Sequence, residues 1–201
     1  RLDGRGGWLL SLYGPPSRLK ALRKQFQDVG NEPPVPGLQG LFLNNRPIWG
    51  RGYLVLQVAD HKYRVSHQSF FQNNLAAAEL AVTTARRWLA DVHPEGTDLA
   101  DLYSGVGLFM LALADRSRRL LGIEADPGAA ADARENLRRA GVGTDRYHLH
   151  EGDVALALGR DEARAEIAWN EACAVVDPPR TGLGKETASA LAALGPATIV
   201  Y

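Results

Sequence analysis

The sequence is nearly empty of cysteine. Cys173 stands alone among 201 residues, which excludes a disulfide framework, a four-cysteine zinc site and a self-contained four-cysteine iron–sulfur cluster within this segment. Long apolar runs are missing too: charges interrupt every stretch well before the ~20 residues of a membrane span. No basic-then-apolar leader opens the chain, so a cytoplasmic protein without a membrane partner is expected. The start at Arg1 rather than Met suggests a trimmed or partly observed chain. What is present, 45% hydrophobic and 23% charged residues, is the mix of a folded domain and excludes disorder and low complexity.

Net charge is also absent, since 23 Lys and Arg balance 23 Asp and Glu, but the balance hides an asymmetry. Residues 1–66 hold 10 basic against 4 acidic side chains, and residues 67–201 hold 13 against 19. The basic set is Arg1, Arg5, Arg18, Lys20, Arg23, Lys24, Arg46, Arg51, Lys62 and Arg64. A basic module joined to an acidic one points to a polyanionic partner for the first. Solvated charged faces of either sign are the plainer alternative.

Two rhythms run along the chain. Residues 6–13 read as a strand ended by Gly14-Pro15-Pro16, with Ser17 as N-cap of a helix to about Gln27. In it Leu19, Leu22, Phe26 and Val29 recur at helical spacing. Prolines between Asn31 and Pro36 exclude helix or central strand there. Strands are expected at 38–43, 53–59 and 62–66, making residues 1–66 a small α+β module. From residue 67 to 201 the pattern changes to alternation. An alanine-rich helix over 74–90 precedes strands at LADLYS, RLLGIEAD, YHLHEGD, AVVDPPR and ATIVY, with helices between, one of them from Pro127 to Ala140. Such alternation predicts a parallel sheet covered on both faces, with a ligand at the carboxyl ends of its strands.

Three constellations fall at those ends. Asp101-Leu-Tyr103-Ser104-Gly105-Val-Gly107 turns from a strand into a helix through two glycines, which allow close approach of backbone to a ligand. The dinucleotide fingerprint wants a third glycine where Met110 stands, so a pyrophosphate turn is disfavoured. Glu124 ends the next strand, where an acid can accept hydrogen bonds from both hydroxyls of a ribose. Asp153 lies where an adenine edge would be reached, although it and Glu151 are equally placed to cap the next helix. Asp177-Pro178-Pro179-Arg180-Thr181-Gly182 leaves its strand rigidly, because two prolines fix φ and remove two donors, and so presents a carboxylate above the sheet.

SFFQNN at 69–74, DLYSGVGLF at 101–109, GIEADPGA at 122–129 and VVDPPRTGL at 175–183 together resemble the RNA uracil-5-methyltransferase family. The resemblance covers roughly residues 53–201. It implies a Rossmann-like class I methyltransferase domain in α/β class, S-adenosyl-L-methionine as cofactor, and an rRNA or tRNA substrate methylated at C5 of uridine; a monomer is expected. Residue by residue, it implies that Gln72 lies beside the cofactor and the target base. It sets Tyr103, Ser104, Gly105 and Gly107 along the methionine part, Glu124 at the ribose, Asp153 near the adenine and Asp177 as the acid of the proline turn. In that family a cysteine thiolate adds to C6, C5 attacks the methyl group, and a base then removes the C5 proton, on a nucleotide turned out of its stack.

The resemblance implies that this nucleophile falls just beyond Tyr201, with the base later still. The chain is thus expected to lack its catalytic cysteine and last strands, and to be inactive alone. Cys173, ahead of Asp177 on the same strand, reads as a small buried thiol at the far end. A non-catalytic RNA-binding protein of the same fold is an alternative. So is a nucleobase amino-group methyltransferase, although Arg180 stands where an aromatic would be wanted. A cytosine-5 enzyme would want a cysteine where Asp177 stands. His148 and His150 alternate on one strand face, but two residues make no site and no metal is expected. Ser104 is outside any G-x-S-x-G turn. Trp8, Trp88 and Trp169 read as core or half-buried anchors, and Trp49, between Arg46 and Arg51, as a candidate RNA contact.

Overall fold

In a computed structural model, which describes residues 7–27, 33 and 35–201, the basic part of the chain forms two small β units. Arg1, Arg5, Val29, Asn31, Glu32 and Pro34 lie outside the described residues. Strand β1 (Trp8–Leu12) runs parallel to β2 (Leu38–Leu43), with helix α1 (Pro16–Gln27) on the crossover. The helix begins at Pro16, so Ser17 sits inside its first turn rather than capping it; proline's fixed φ suits that first position.

Strand β3 (Arg46–Gly50), absent from the sequence reading, pairs antiparallel with β2. Asn44 and Asn45, both at positive φ (47° and 64°), make the tight hairpin turn. Pro47 holds β3 to the edge of its three-stranded sheet. Strands β4 (Tyr53–Val58) and β5 (His61–Ser66) form a second hairpin.

Helix α2 (Leu75–Val92), capped by Asn74 accepting from the Ala77 N–H, leads into the alternating part. Its strands are β6 (Thr97–Leu102), β7 (Ser117–Glu124), β8 (Tyr147–Glu151), β9 (Cys173–Val176) and β10 (Thr198–Val200). Between them lie α3 (Leu108–Ala112), α4 (Pro127–Arg139), α5 (Val154–Leu158), α6 (Asp161–Ala165) and α7 (Lys185–Leu194). The five strands are all parallel in the order β10-β9-β6-β7-β8, the Rossmann-like α/β arrangement expected. Every residue of β6 is buried, as a central strand covered on both faces requires.

One apolar cluster lies under α2, α3 and α4, and includes Leu99, Leu120, Val82 and Leu137. A second lies on the opposite face under α5 and α7, and includes Leu102, Ile123, Trp169 and Leu191. The β4–β5 hairpin joins the first cluster through Leu54, Leu56, Tyr63 and Val65. The division after residue 66 that charge suggests thus passes just behind a hairpin whose inner face shares this core.

Polar contacts fasten the hairpin. Asn136 of α4 accepts from the Arg64 N–H at 2.7 Å and donates to the Arg64 and Val106 carbonyls. Asp132, fully buried, accepts from the Ser66 N–H at 2.6 Å, the Ser66 hydroxyl at 2.8 Å and the Ser69 hydroxyl at 2.7 Å. Arg64 completes its shell at 3.1 Å. No described helix is long and apolar enough to cross a membrane.

Candidate active site at the strand carboxyl ends

Strand order reverses at β6, because β7 lies on one side of it and β9 on the other. Such a point leaves a crevice above the strand ends. Leu102 is level with Val176, and the Asp177 N–H reaches the Leu102 carbonyl at 3.4 Å, so Tyr103 and Asp177 leave the sheet side by side.

The turn after β6 is held in a demanding conformation. Tyr103 lies at φ 65°, a region costly for a side chain with a Cβ, followed by Gly105 at 55° and Gly107 at 81°. The Tyr103 hydroxyl is tethered to the Leu183 carbonyl at 3.3 Å and lies 3.4 Å from the Thr187 hydroxyl. At Gly107 a Cβ would stand 3.2 Å from the Ala133 Cβ, so glycine there lets α3 seat against α4. At Gly105 a Cβ would meet nothing within 4 Å, so the turn borders open space.

Glu124 braces this turn: one carboxylate oxygen accepts from the Gly105 N–H at 2.8 Å and the other from the Asp126 N–H at 2.8 Å. Each oxygen keeps a further lone pair for a ligand. The Ser104 hydroxyl is buried and has no hydrogen-bond partner among the described residues.

Across the crevice the Gln72 amide donates to Asp177 at 3.2 Å, joining the segment before α2 to the proline turn after β9. Gln72, Tyr103, Ser104, Gly105 and Asp177 line one cavity of about 70 Å³, beside the exposed ring of Phe70. A larger cavity of about 440 Å³ shares Gln72 and Asp177 and continues along α2 past Leu80, Ala81 and Trp88 to Val200. Trp88, a core or half-buried anchor by its sequence, lies outside the core at 49% exposed. Its outward position on α2, along the larger cavity, leaves the ring outside the core of the described residues. Trp169 is buried at 6%, while Trp8 and Trp49 are half-buried. Asp153 stands apart from the small cavity, as N-cap of α5, accepting from the Leu156 N–H at 3.0 Å.

In the sequence Asp101 is marked only as the first residue of the glycine-turn motif. It is the penultimate residue of β6, 1% exposed, and turns beneath the glycine turn to accept from the Met110 N–H at 3.0 Å. Burial pushes its carboxyl up to about 8, against the Met110 hydrogen bond and with the help of the nearby Asp177 and Glu124 charges.

A raised carboxyl pKa means that the folded state holds the proton more tightly. The stability this contributes is complete below the unfolded value near 4 and is lost as pH rises towards about 8. Asp101→Asn, neutral throughout and still able to accept from Met110, is expected to flatten the fall in urea midpoint between pH 5 and pH 8. Parallel pH profiles for the two proteins would contradict the assignment. Cys173 begins β9 at the end away from the crevice; it is 1% exposed, and burial pushes its thiol up to about 11.

The family model described as tRNA (uracil-5-)-methyltransferase matches residues 51–201. An uncharacterized RNA methyltransferase of Streptomyces coelicolor is 37% identical over 161 residues, 77% of this chain and 32% of its own length. The 23S rRNA (uracil(747)-C(5))-methyltransferase RlmC of Vibrio cholerae is 34% identical over 148 residues, 74% of this chain and 37% of its own. The chain thus spans about a third of the length of these relatives.

Among solved structures, the tRNA (uracil-54, C5)-methyltransferase of Pyrococcus abyssi, in complex with S-adenosyl-L-homocysteine, superposes with a TM-score of 0.64 at 25% identity. The match takes in 82% of this chain and 40% of that one. Trm5b of Pyrococcus abyssi, at 16% identity and a TM-score of 0.55 over 94% of this chain and 56% of its own, shares the fold.

Proposed function

As this chain belongs to the tRNA (uracil-5-)-methyltransferase family, we propose that it is the cofactor-binding part of a cytoplasmic, monomeric enzyme that methylates C5 of uridine in ribosomal or transfer RNA. The observation that carries this reading is the meeting of Gln72, Tyr103, Ser104, Gly105 and Asp177 around one cavity at the sheet's switch point, with Glu124 bound to Gly105. S-adenosyl-L-methionine fits that donor set. The orphaned Ser104 hydroxyl and the open face of Gly105 offer room and a polar contact, and the Glu124 carboxylate retains acceptor capacity for two ribose hydroxyls. When bound, that cofactor supplies an electrophilic methyl group on a sulfonium.

The chain's own residues then divide the work. Glu124 orients the nucleoside end. Tyr103 and the glycine turn border the methionine end, and the Gln72–Asp177 pair stands where a target base would enter. Asp153, on the next strand end, serves the adenine side. Residues 67–201 form the cofactor domain in this reading, and residues 1–66 face the RNA. Arg18, Lys20, Arg23 and Lys24 are exposed on α1, while Arg51, Arg64 and Arg139 approach the ring of Tyr53 to 5.7, 4.5 and 5.9 Å.

Cys173, the only cysteine of the chain, is buried with its thiol protonated at neutral pH, so it supplies no nucleophile. Calorimetric titration of the 201-residue chain with S-adenosylhomocysteine is expected to give micromolar binding, with none for NAD. Incubation with S-adenosylmethionine and uridine-containing RNA is expected to yield no 5-methyluridine. Absence of S-adenosylhomocysteine binding, or equal binding of NAD, would overturn the reading.

A further inference from the structure

Two histidines on one strand face make no ligand set in the sequence, but the fold brings a third donor to them. Strand β8 is an edge of the five-stranded sheet among the described residues. His148 is level with Leu121 and His150 with Ile123, so both rings share the sheet face that carries the α5 and α7 cluster. The rings lie 4.4 Å apart, inclined at 34°.

Glu166 directly follows α6 and returns its carboxylate to this corner, with one oxygen 3.0 Å from His148 Nδ1. One donor atom from each of His148, His150 and Glu166 lies within 4.8 Å of the other two. A hydrogen bond between His148 and Glu166 accounts for those two side chains alone. It leaves His150 Nε2 buried with no hydrogen-bond partner among the described residues, a state that costs free energy unless something occupies the third direction.

We propose that His148, His150 and Glu166 bind a divalent transition-metal ion of the zinc class. Two imidazoles and one carboxylate are a borderline donor set that suits zinc, whereas magnesium and calcium prefer oxygen shells. Tetrahedral bonds of about 2.0–2.2 Å set the ligand atoms roughly 3.3 Å apart, so a spread within 4.8 Å needs only side-chain rotation. The side chains of His148 and Glu166 are 47% and 33% exposed, which gives the ion an open path and leaves water to complete its shell. Around His150, Glu166 and Glu162 act electrostatically in one sense and His148 and Arg160 in the other. The ion would fasten the outer strand to the α6 segment one residue before Glu151, which is itself level with Glu124.

The test is titration of the whole chain with zinc chloride against a competing chelator, followed by cobalt(II) substitution and its visible absorption. One equivalent of zinc and a tetrahedral cobalt spectrum are expected. His148→Ala changes an exposed side chain and leaves the core intact; it and Glu166→Gln should each lower zinc affinity by more than the roughly tenfold to hundredfold that loss of an outer-shell partner costs. His93→Ala, far along the sequence, should change nothing. No stoichiometric zinc, or binding that His148→Ala and Glu166→Gln leave unaltered, would overturn the proposal and return the cluster to a hydrogen-bonded pair beside a lone imidazole.

Discussion

Glu124→Ala is expected to weaken S-adenosylhomocysteine binding by about 1.5–3 kcal/mol, the range of a lost charged hydrogen bond. That corresponds to roughly 10-fold to 150-fold in dissociation constant. Glu124 spans two backbone donors, Gly105 and Asp126, that are fixed before any ligand arrives. Its carboxylate is therefore held in place, and the binding free energy is not spent on ordering it. The alanine variant loses the ribose contact and releases the Gly105 turn together. Glu124→Gln keeps the shape but offers one acceptor oxygen in place of two, so an intermediate loss is expected. Calorimetry on the three proteins measures the series. Equal affinity for wild type and Glu124→Ala would remove Glu124 from the site.

Asp132→Ala should unfold the protein most readily of the substitutions considered, with a loss of about 3–5 kcal/mol, the scale of breaking a buried ion pair from one side. Asp132 is fully buried and gathers the Ser66 N–H, the Ser66 and Ser69 hydroxyls and the Arg64 guanidinium. Its removal takes the acceptor from the buried Ser69 hydroxyl and from the partly buried Ser66 donors, and leaves Arg64 without its carboxylate. Glu135, on the same helix, is the control: it pairs with Arg138 and Arg139 in solvent, where such contacts contribute little. Urea denaturation of Asp132→Ala and Glu135→Ala separates the two cases. A midpoint shift for Asp132→Ala no larger than that for Glu135→Ala would refute the role given to the buried carboxylate.

The contrast between Asp132 and Glu124 marks where sequence reading stops. Strand and helix alternate so plainly from residue 97 onward that the parallel sheet could be read directly, and with it the strand ends carrying Tyr103, Glu124 and Asp177. Those positions are legible because they follow apolar runs and break them. Asp132 follows nothing of the kind. It sits among Ala, Arg and Glu on an amphipathic helix, and its partners Ser66 and Ser69 lie 66 and 63 residues away.

Asp101 is ambiguous for a related reason. An acid near the end of a buried strand can face the ligand or fold under the turn, and only the position of the Met110 N–H decides. Strand β3 was hidden by Pro47, which argues against a strand until the sheet edge is seen. Glu166 could not be joined to His148 and His150 without the fold, which brings the residue after α6 back to strand β8.

The central sheet is also an energetic partition. Leu99 and Leu102 are three residues apart on β6, yet one packs into the layer under α2, α3 and α4 and the other into the layer under α5 and α7. Between them stand only backbone groups, whose hydrogen bonds are fixed by β7 and β9. A void opened in one layer is relaxed by neighbours in that layer, and the opposite layer barely feels it. Defects in different layers therefore combine additively, while defects within one layer couple, with either sign. Sequence drift in the layer beneath the crevice, which holds Leu108 and Phe109, can thus proceed independently of drift in the layer behind it.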